Sequence, residues 1–167
     1  MALQAGQGLL AGRGRAGALM LLAGVAHTAG FAPFELWWLQ ILALACLAWA
    51  VQGTAPGRAA WLGWCFGLGW LASGFWWIYV SLHDFGELPA VLSALAVLLL
   101  AAFLALYVAG PMALLRRLAN ARPLAAGLQF AALWTLSELA RGQWLSGFPW
   151  IASGYAHSLG PLATLAH

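Results

Sequence analysis

Charged residues interrupt this chain only at wide intervals, and the intervals have the length of membrane-crossing helices. Uncharged runs of 19, 22, 25, 28 and 15 residues separate Arg15 from Glu35, Glu35 from Arg58, Arg58 from Asp84, Glu87 from Arg116, and Arg122 from Glu138. A helix crossing a hydrocarbon layer of about 30 Å needs about 20 residues. The spacing therefore predicts helices over 16–32, 35–52, 59–82, 88–115 and 123–140. Only 7% of the 167 residues are charged and 64% are hydrophobic, with a mean hydropathy of +0.87. A soluble domain carries about 25% charged residues, so much of this surface is expected to face lipid. The same numbers exclude a disordered chain, which would be polar and charge-rich.

The connections fall where the spacing leaves room for them. Ala32-Pro33-Phe34, Gly53-Thr54-Ala55-Pro56-Gly57 and His83-Asp84-Phe85-Gly86-Glu87-Leu88-Pro89 break the first three boundaries, because the residue before proline is pushed out of the helical region. Pro123 stands at the first position of the fifth helix, where its missing N–H costs nothing. Residues 142–160 carry Gly142, Gly147, Pro149, Gly154 and Gly160 and no charge, which predicts a structured surface or re-entrant segment. An apolar stretch at 161–167 reads as the start of a sixth span, so the chain is expected to be a fragment. The expected organisation is all-α and polytopic: a tail over 1–15, a five-helix bundle over 16–141, an aromatic and glycine-rich loop over 142–160, and that partial span. A cleaved N-terminal signal sequence is the competing reading of the first 32 residues.

All seven basic residues are arginine, and the net charge is +3. They are scattered between apolar blocks rather than gathered on a face with stacking aromatics, so nucleic acid is not an expected partner. Their distribution instead sets an orientation. With the N-terminus in the cytoplasm, Arg13, Arg15, Arg58, Arg116, Arg117 and Arg122 fall inside; Glu35, Asp84, Glu87, Glu138 and Arg141 fall outside. That is the partition the positive-inside rule demands. Trp37, Trp38, Trp76, Trp77, Tyr79, Trp144 and Trp150 then gather at the outer interface, and Trp49, Trp61 and Trp64 near the inner one. Gly63 and Gly67, Gly69 and Ser73, and Ala101, Ala105 and Ala109 have the small-residue spacing that lets helices approach closely.

Few residues carry chemistry. Glu138 and Arg141 stand three apart on one helix face, either as an interfacial ion pair or as a polar anchor for a lipid headgroup or docked domain. His27 is placed near the outer end of the first helix, and His83 in a solvated loop beside Asp84. Cys46 and Cys65 have no metal or redox spacing and read as packing residues. Trp144, Phe148, Pro149, Trp150 and Tyr155 alternate with Gly and Ser. They can line a groove for acyl chains, or they anchor an interfacial loop. No metal or cofactor is expected, and none of the nucleophile, phosphate-loop or dinucleotide motifs is present.

Several segments resemble the membrane part of apolipoprotein N-acyltransferases. They are Phe31-Ala-Pro-Phe34, Gly63-Trp-Cys-Phe-Gly-Leu-Gly69 running into Gly74-Phe-Trp-Trp-Ile-Tyr-Val-Ser81, and His83-Asp-Phe-Gly86. Leu133-Trp-Thr-Leu-Ser-Glu-Leu-Ala-Arg-Gly142, Ser146-Gly-Phe-Pro-Trp150 and Gly154-Tyr155 complete the set. The resemblance implies a bacterial inner-membrane enzyme that moves an acyl chain from a phospholipid to the N-terminal diacylglyceryl-cysteine of an apolipoprotein. It also implies a thioester on a cysteine, within a Glu-Lys-Cys triad of a periplasmic nitrilase-like domain. The chain contains no lysine, so that triad cannot be assembled here and no catalytic residue is assigned. Expected partners are the phospholipid donor, the apolipoprotein acceptor, membrane lipids and the missing nitrilase-like domain. Glu138, Arg141, Trp144, Phe148, Pro149, Trp150 and Tyr155 are the expected substrate-facing residues. A small membrane scaffold, or a transporter with His27, Glu138 and Arg141 on a polar path, is the alternative.

Overall fold

A computed structural model of the chain describes residues 12–118, 122–145, 147–158 and 163. Among them the helices are α1 (Arg13–Thr28), α2 (Trp37–Val51), α3 (Pro56–Gly74), α4 (Trp76–Val80), α5 (Ala90–Leu104), α6 (Leu106–Arg117) and α7 (Pro123–Gln143). A π turn, Ser81–Phe85, extends α4, and a 3₁₀ turn spans Ser153–His157. No strand occurs among the described residues. The stretches read as the start of a tail (1–11) and as most of a sixth span (161–167) lie outside the described residues; α1 takes in Arg13 and Arg15.

Each expected helix is found within a few residues, with two departures. The third is not one straight rod: α3 and the segment Trp76–Phe85 meet at a bend of 50°. Ser73 Oγ donates back to the Gly69 and Trp70 carbonyls (2.7 and 3.1 Å), and Gly74 follows it. A hydroxyl competing for helix carbonyls beside a glycine is a usual cause of a bend. The fourth, α5 with α6, forms a 28-residue rod, Ala90–Arg117. Pro111 lies inside α6, where it lacks an N–H and crowds the preceding turn.

By length and apolarity, the Ala90–Arg117 rod can cross a membrane alone, and Pro56–Phe85 can do so if the bent pair is one span. Helix α2 is apolar but has 15 residues. The expected count of five spans is therefore not established by these helices, although the all-helical class is.

The bundle is organised around α3, which packs most extensively on α1 and next on α6. Glycines make both contacts possible. A Cβ on Gly24 of α1 would collide with the Phe66 carbonyl, and one on Gly69 of α3 with the Leu21 carbonyl. On the opposite face of α3, a Cβ on Gly67 would lie 3.0 Å from Ala105, and one on Gly63 3.0 Å from the Val108 carbonyl. The small-residue spacing seen in the sequence thus serves two different interfaces. Ser73 reaches Thr28 Oγ1 across the α1–α3 interface (2.7 Å), and Thr28 donates to the Trp70 carbonyl (3.0 Å).

Among the described residues, helix α7 packs most closely on α6. Toward the centre its Trp134 stacks on Trp70 of α3 at 5.6 Å, and on Phe130 of its own helix at 6.2 Å. At one end of the bundle Arg13 lies over Trp61 (5.4 Å), and Arg116 Nε donates to the Thr54 carbonyl (3.0 Å). At the other end Trp77 meets Trp150 (5.4 Å) and Trp37 meets His157 (6.3 Å). These are called the arginine end and the loop end below. Cys65 is buried as expected, whereas Cys46 is exposed on α2.

Gly24→Ala and Gly69→Ala each force two backbones apart and are expected to cost roughly 1–3 kcal/mol, the range for overpacking. Gly14→Ala, with nothing within 4 Å of the added carbon, is expected to be neutral or slightly stabilising. Thermal unfolding of the three variants in one detergent, followed by tryptophan circular dichroism, checks the difference.

Candidate functional site

The last two turns of α7 carry the acid and the base singled out in the sequence. Arg141 is 2% exposed. Burying a guanidinium is costly unless its donors are matched; here the chain that follows matches Nη1, while Nη2 has no hydrogen-bond partner among the described residues. Arg141 Nη1 donates to the carbonyls of Phe148 (2.9 Å) and Trp150 (2.8 Å). Its backbone carbonyl accepts from the Phe148 N–H (2.8 Å). The guanidinium carbon lies 5.1 Å from the centre of the Trp70 ring, a cation–π distance.

Glu138 works on the next part of the same loop. Its Oε1 accepts from the Ser153 backbone N–H (2.8 Å) and from Ser153 Oγ (3.0 Å). Ser153 Oγ in turn accepts from Trp134 Nε1 (3.0 Å). The direct approach of Glu138 to Arg141 is only 3.9 Å, longer than a charge-assisted hydrogen bond. The two charges therefore act side by side, each holding one stretch of the loop, and neither sequence alternative described this.

The loop must turn sharply to come back over α7. Gly147 has φ +69°, and a Cβ there would strike the Gly142 carbonyl. Ile151 has φ +50°, a genuine outlier for a β-branched residue. Its side chain fills the space beside Gly74, where a Cβ would collide with it. Phe148 packs edge-on to the fully buried Phe75 at 5.1 Å. Loop and bend are thus locked together, with the glycine of the α3–α4 bend receiving the strained isoleucine.

What the loop presents outward is aromatic. Trp144, Trp150 and Tyr155 are exposed, as are Phe34, Trp76 and Phe85. A cavity of about 470 Å³ is lined by Phe31, Ala32, Pro149, Trp150, Ile151 and Tyr155. A second, of about 380 Å³, shares Phe31, Ala32 and Ile151 and continues past Phe34, Ser73 and Trp76. Both fall within the 300–1,000 Å³ typical of small-molecule sites. Of the sequence-stated residues, Pro149, Trp150 and Tyr155 line the first cavity, Phe148 braces the loop from behind, and Trp144 is exposed beyond it. Glu138 and Arg141 stand beneath the loop. The cavity walls contributed by Phe31, Ala32 and Ile151 were not on that list. The Phe31-Ala-Pro-Phe34 motif was the available signal for the first two.

His27 stands at the end of α1, where the sequence placed it, whereas His83 lies in a helical turn rather than an open loop. His27 is fully buried, packed by Trp70 (4.7 Å), Phe66 (5.5 Å) and Trp134 (6.0 Å), and lies inside an aromatic box rather than on a polar path. His83 is held in the π turn, its Nδ1 donating to the Leu88 carbonyl (2.8 Å) and its ring 5.4 Å from Tyr79.

Comparison with known proteins matches residues 23–167 to the family model described as "Apolipoprotein N-acyltransferase N-terminal domain". The chain belongs to this family. Among similar proteins, each named apolipoprotein N-acyltransferase, one from Ralstonia nicotianae is 51% identical over 152 residues, covering 89% of this chain and 29% of that protein. One from Verminephrobacter eiseniae is 50% identical over 155 residues, with 87% and 29% covered, and one from Pseudomonas putida is 43% identical over 152, with 89% and 30% covered. The chain spans about 29% of the length of these bacterial relatives, and the match identifies that part as the family's N-terminal domain.

Removing the Glu138 carboxylate should release the Ser153 amide. Hydrogen bonds to charged groups contribute about 1.5–3 kcal/mol, so Glu138→Ala is expected to speed exchange of that amide roughly ten- to hundredfold, while amides of α1 around Gly24 keep their protection. Hydrogen exchange read by mass spectrometry checks it. Unchanged exchange over 148–155 would show that the carboxylate does not hold the loop.

Proposed function

We propose that this chain is the membrane-embedded N-terminal part of an apolipoprotein N-acyltransferase. The whole enzyme would transfer an acyl chain from a phospholipid to the N-terminal diacylglyceryl-cysteine of an apolipoprotein, completing lipoprotein maturation in the bacterial inner membrane. The observation that carries this is the family match over residues 23–167. In this reading the bundle is polytopic, with its arginine end cytoplasmic and its loop end periplasmic. The arginine partition and the apolar helix surfaces support that orientation. Exposed leucines stand on α1, α2, α5, α6 and α7, as lipid-facing rods require, even where a single helix is short.

The chemistry would be performed elsewhere in the enzyme. A Glu-Lys-Cys triad, which the family resemblance implies for a nitrilase-like domain, needs a lysine that this chain lacks. The chain's own contribution is at the loop end. Trp150, Tyr155, Phe31 and Pro149 would receive acyl chains of the donor or acceptor lipid, which are apolar and match an apolar wall. Arg141 and Glu138 would keep Trp150 and its neighbours in place for that contact, and Trp144 would rest at the interface. Substrate contact by the seven residues named from the sequence thus divides into lining and holding roles.

An acyl-transfer assay tests the proposal, with phospholipid donor and diacylglyceryl-peptide acceptor in detergent. No N-acylated product is expected from the 167-residue chain, and product is expected from a protein that continues through a nitrilase-like domain. Turnover by the short chain would overturn the assignment of catalysis to a separate domain. In the longer protein, Trp150→Ala is expected to slow transfer about tenfold, the scale of one lost aromatic contact of about 1.4 kcal/mol. Trp61→Ala, at the arginine end, should slow it far less; equal activities would count against the loop-end site.

A further inference from the structure

The arginine end holds a cavity that the acyl-transfer reading does not use. It has a volume of about 410 Å³ and lies between α2 and α7, floored by Leu115 and Arg116 of α6. These two helices are not among the closely packed pairs of the bundle, so the gap between them is a groove rather than a packing defect. Its inner wall is apolar: Ala48, Val51, Leu115, Ala126 and Phe130. Its mouth is polar, with Gln52, Arg116 and Gln129. Arg116 Nε donates to the Thr54 carbonyl (3.0 Å), which fixes the guanidinium at the rim. Gln129 Nε2 donates to the Leu118 carbonyl (3.3 Å), and its Oε1 is buried without a partner among the described residues. One site therefore offers a fixed cation at its rim and an apolar trough leading away from it.

We propose that this groove binds one anionic phospholipid, its phosphate on Arg116 and an acyl chain along Leu115 and Phe130. A phosphate matches the guanidinium in charge and donor geometry. The surrounding end of the bundle is the one where Arg13, Arg15, Arg58, Arg117 and Arg122 also lie by helix direction, so the local field attracts an anionic leaflet. The site requires membrane embedding, as proposed above, but no part in acyl transfer. Lost lipid retention with intact transfer in the longer protein would concern this groove alone.

The test is native mass spectrometry of the full chain, delipidated in detergent and titrated with phosphatidylglycerol or with phosphatidylcholine of the same acyl composition. One phosphatidylglycerol is expected to be retained about tenfold more tightly than phosphatidylcholine. Arg116→Gln should remove that preference, whereas Arg117→Gln, exposed and outside the groove, should keep it. Gly127→Leu provides an independent variant: Gly127 lines the groove and has nothing within 4 Å of an added Cβ. It should fill the trough and weaken both lipids about tenfold with an unchanged tryptophan circular dichroism spectrum. Equal retention of the two lipids, or unaltered retention in both Arg116→Gln and Gly127→Leu, would overturn the proposal. Displacement of the lipid by excess inorganic phosphate would also overturn it, marking a simple anion site.

Discussion

Backbone meets backbone where α1 crosses α3, and much of the molecule is arranged around that crossing. Gly24 lies against the Phe66 carbonyl and Gly69 against the Leu21 carbonyl, with no room for a side-chain carbon at either. Such close approach supplies dispersion contact that bulkier residues would forbid. The crossing also brings the His27 and Trp70 rings together at 4.7 Å, tilted by 57°, and lets Thr28 bond Ser73. Trp70 then presents one ring to Trp134 and to Arg141. The position of α7, and of the loop beyond it, is thus set through an aromatic stack that begins at a glycine contact.

Arg141 converts that placement into a shaped surface. A buried guanidinium is a poor source of net stability but a strong source of geometric definition, because leaving its donors unmatched is expensive. Here the matched acceptors are the carbonyls of Phe148 and Trp150, two alternate residues of one loop. Strain of about 1–3 kcal/mol for an isoleucine at positive φ is tolerable only when the surroundings over-determine it. Ile151 sits one residue beyond the Trp150 carbonyl that Arg141 holds, and two before the Ser153 amide that Glu138 holds. The outward display of Trp150 and Tyr155 follows from these inward bonds.

The two ends of the bundle have different chemistry for a shared reason. Short connections make successive rods antiparallel, so residues at alternate helix ends gather in space. The six arginines collect at one end and the aromatic loop at the other, with a groove at each. The loop-end cavities are walled by residues from the α1–α2 connection, the α3–α4 bend and the loop after α7. The arginine-end groove is walled by α2, α6 and α7. Each is a seam between elements that are remote in the sequence.

Charge spacing determined the number of rods and their limits to within a few residues, because a run without charges is a property of the chain alone. Glycine and alanine spacing likewise marked the faces of α3 and of the α5–α6 rod that could approach a neighbour. Charge partition between the ends was legible for the same one-dimensional reason. Tertiary structure alone decided which neighbour each face met, and it divided Gly63 and Gly67 from Gly69 between α6 and α1. It bent the third rod at Ser73 and Gly74, exposed Cys46, and buried His27. It also gave Glu138 and Arg141 separate partners in the loop, although their spacing suggested a pair. Such pairings depend on a chain that turns back at Gly147 and Ile151, and a hydrogen bond is specified by where two groups end up in space, not by their interval along a helix.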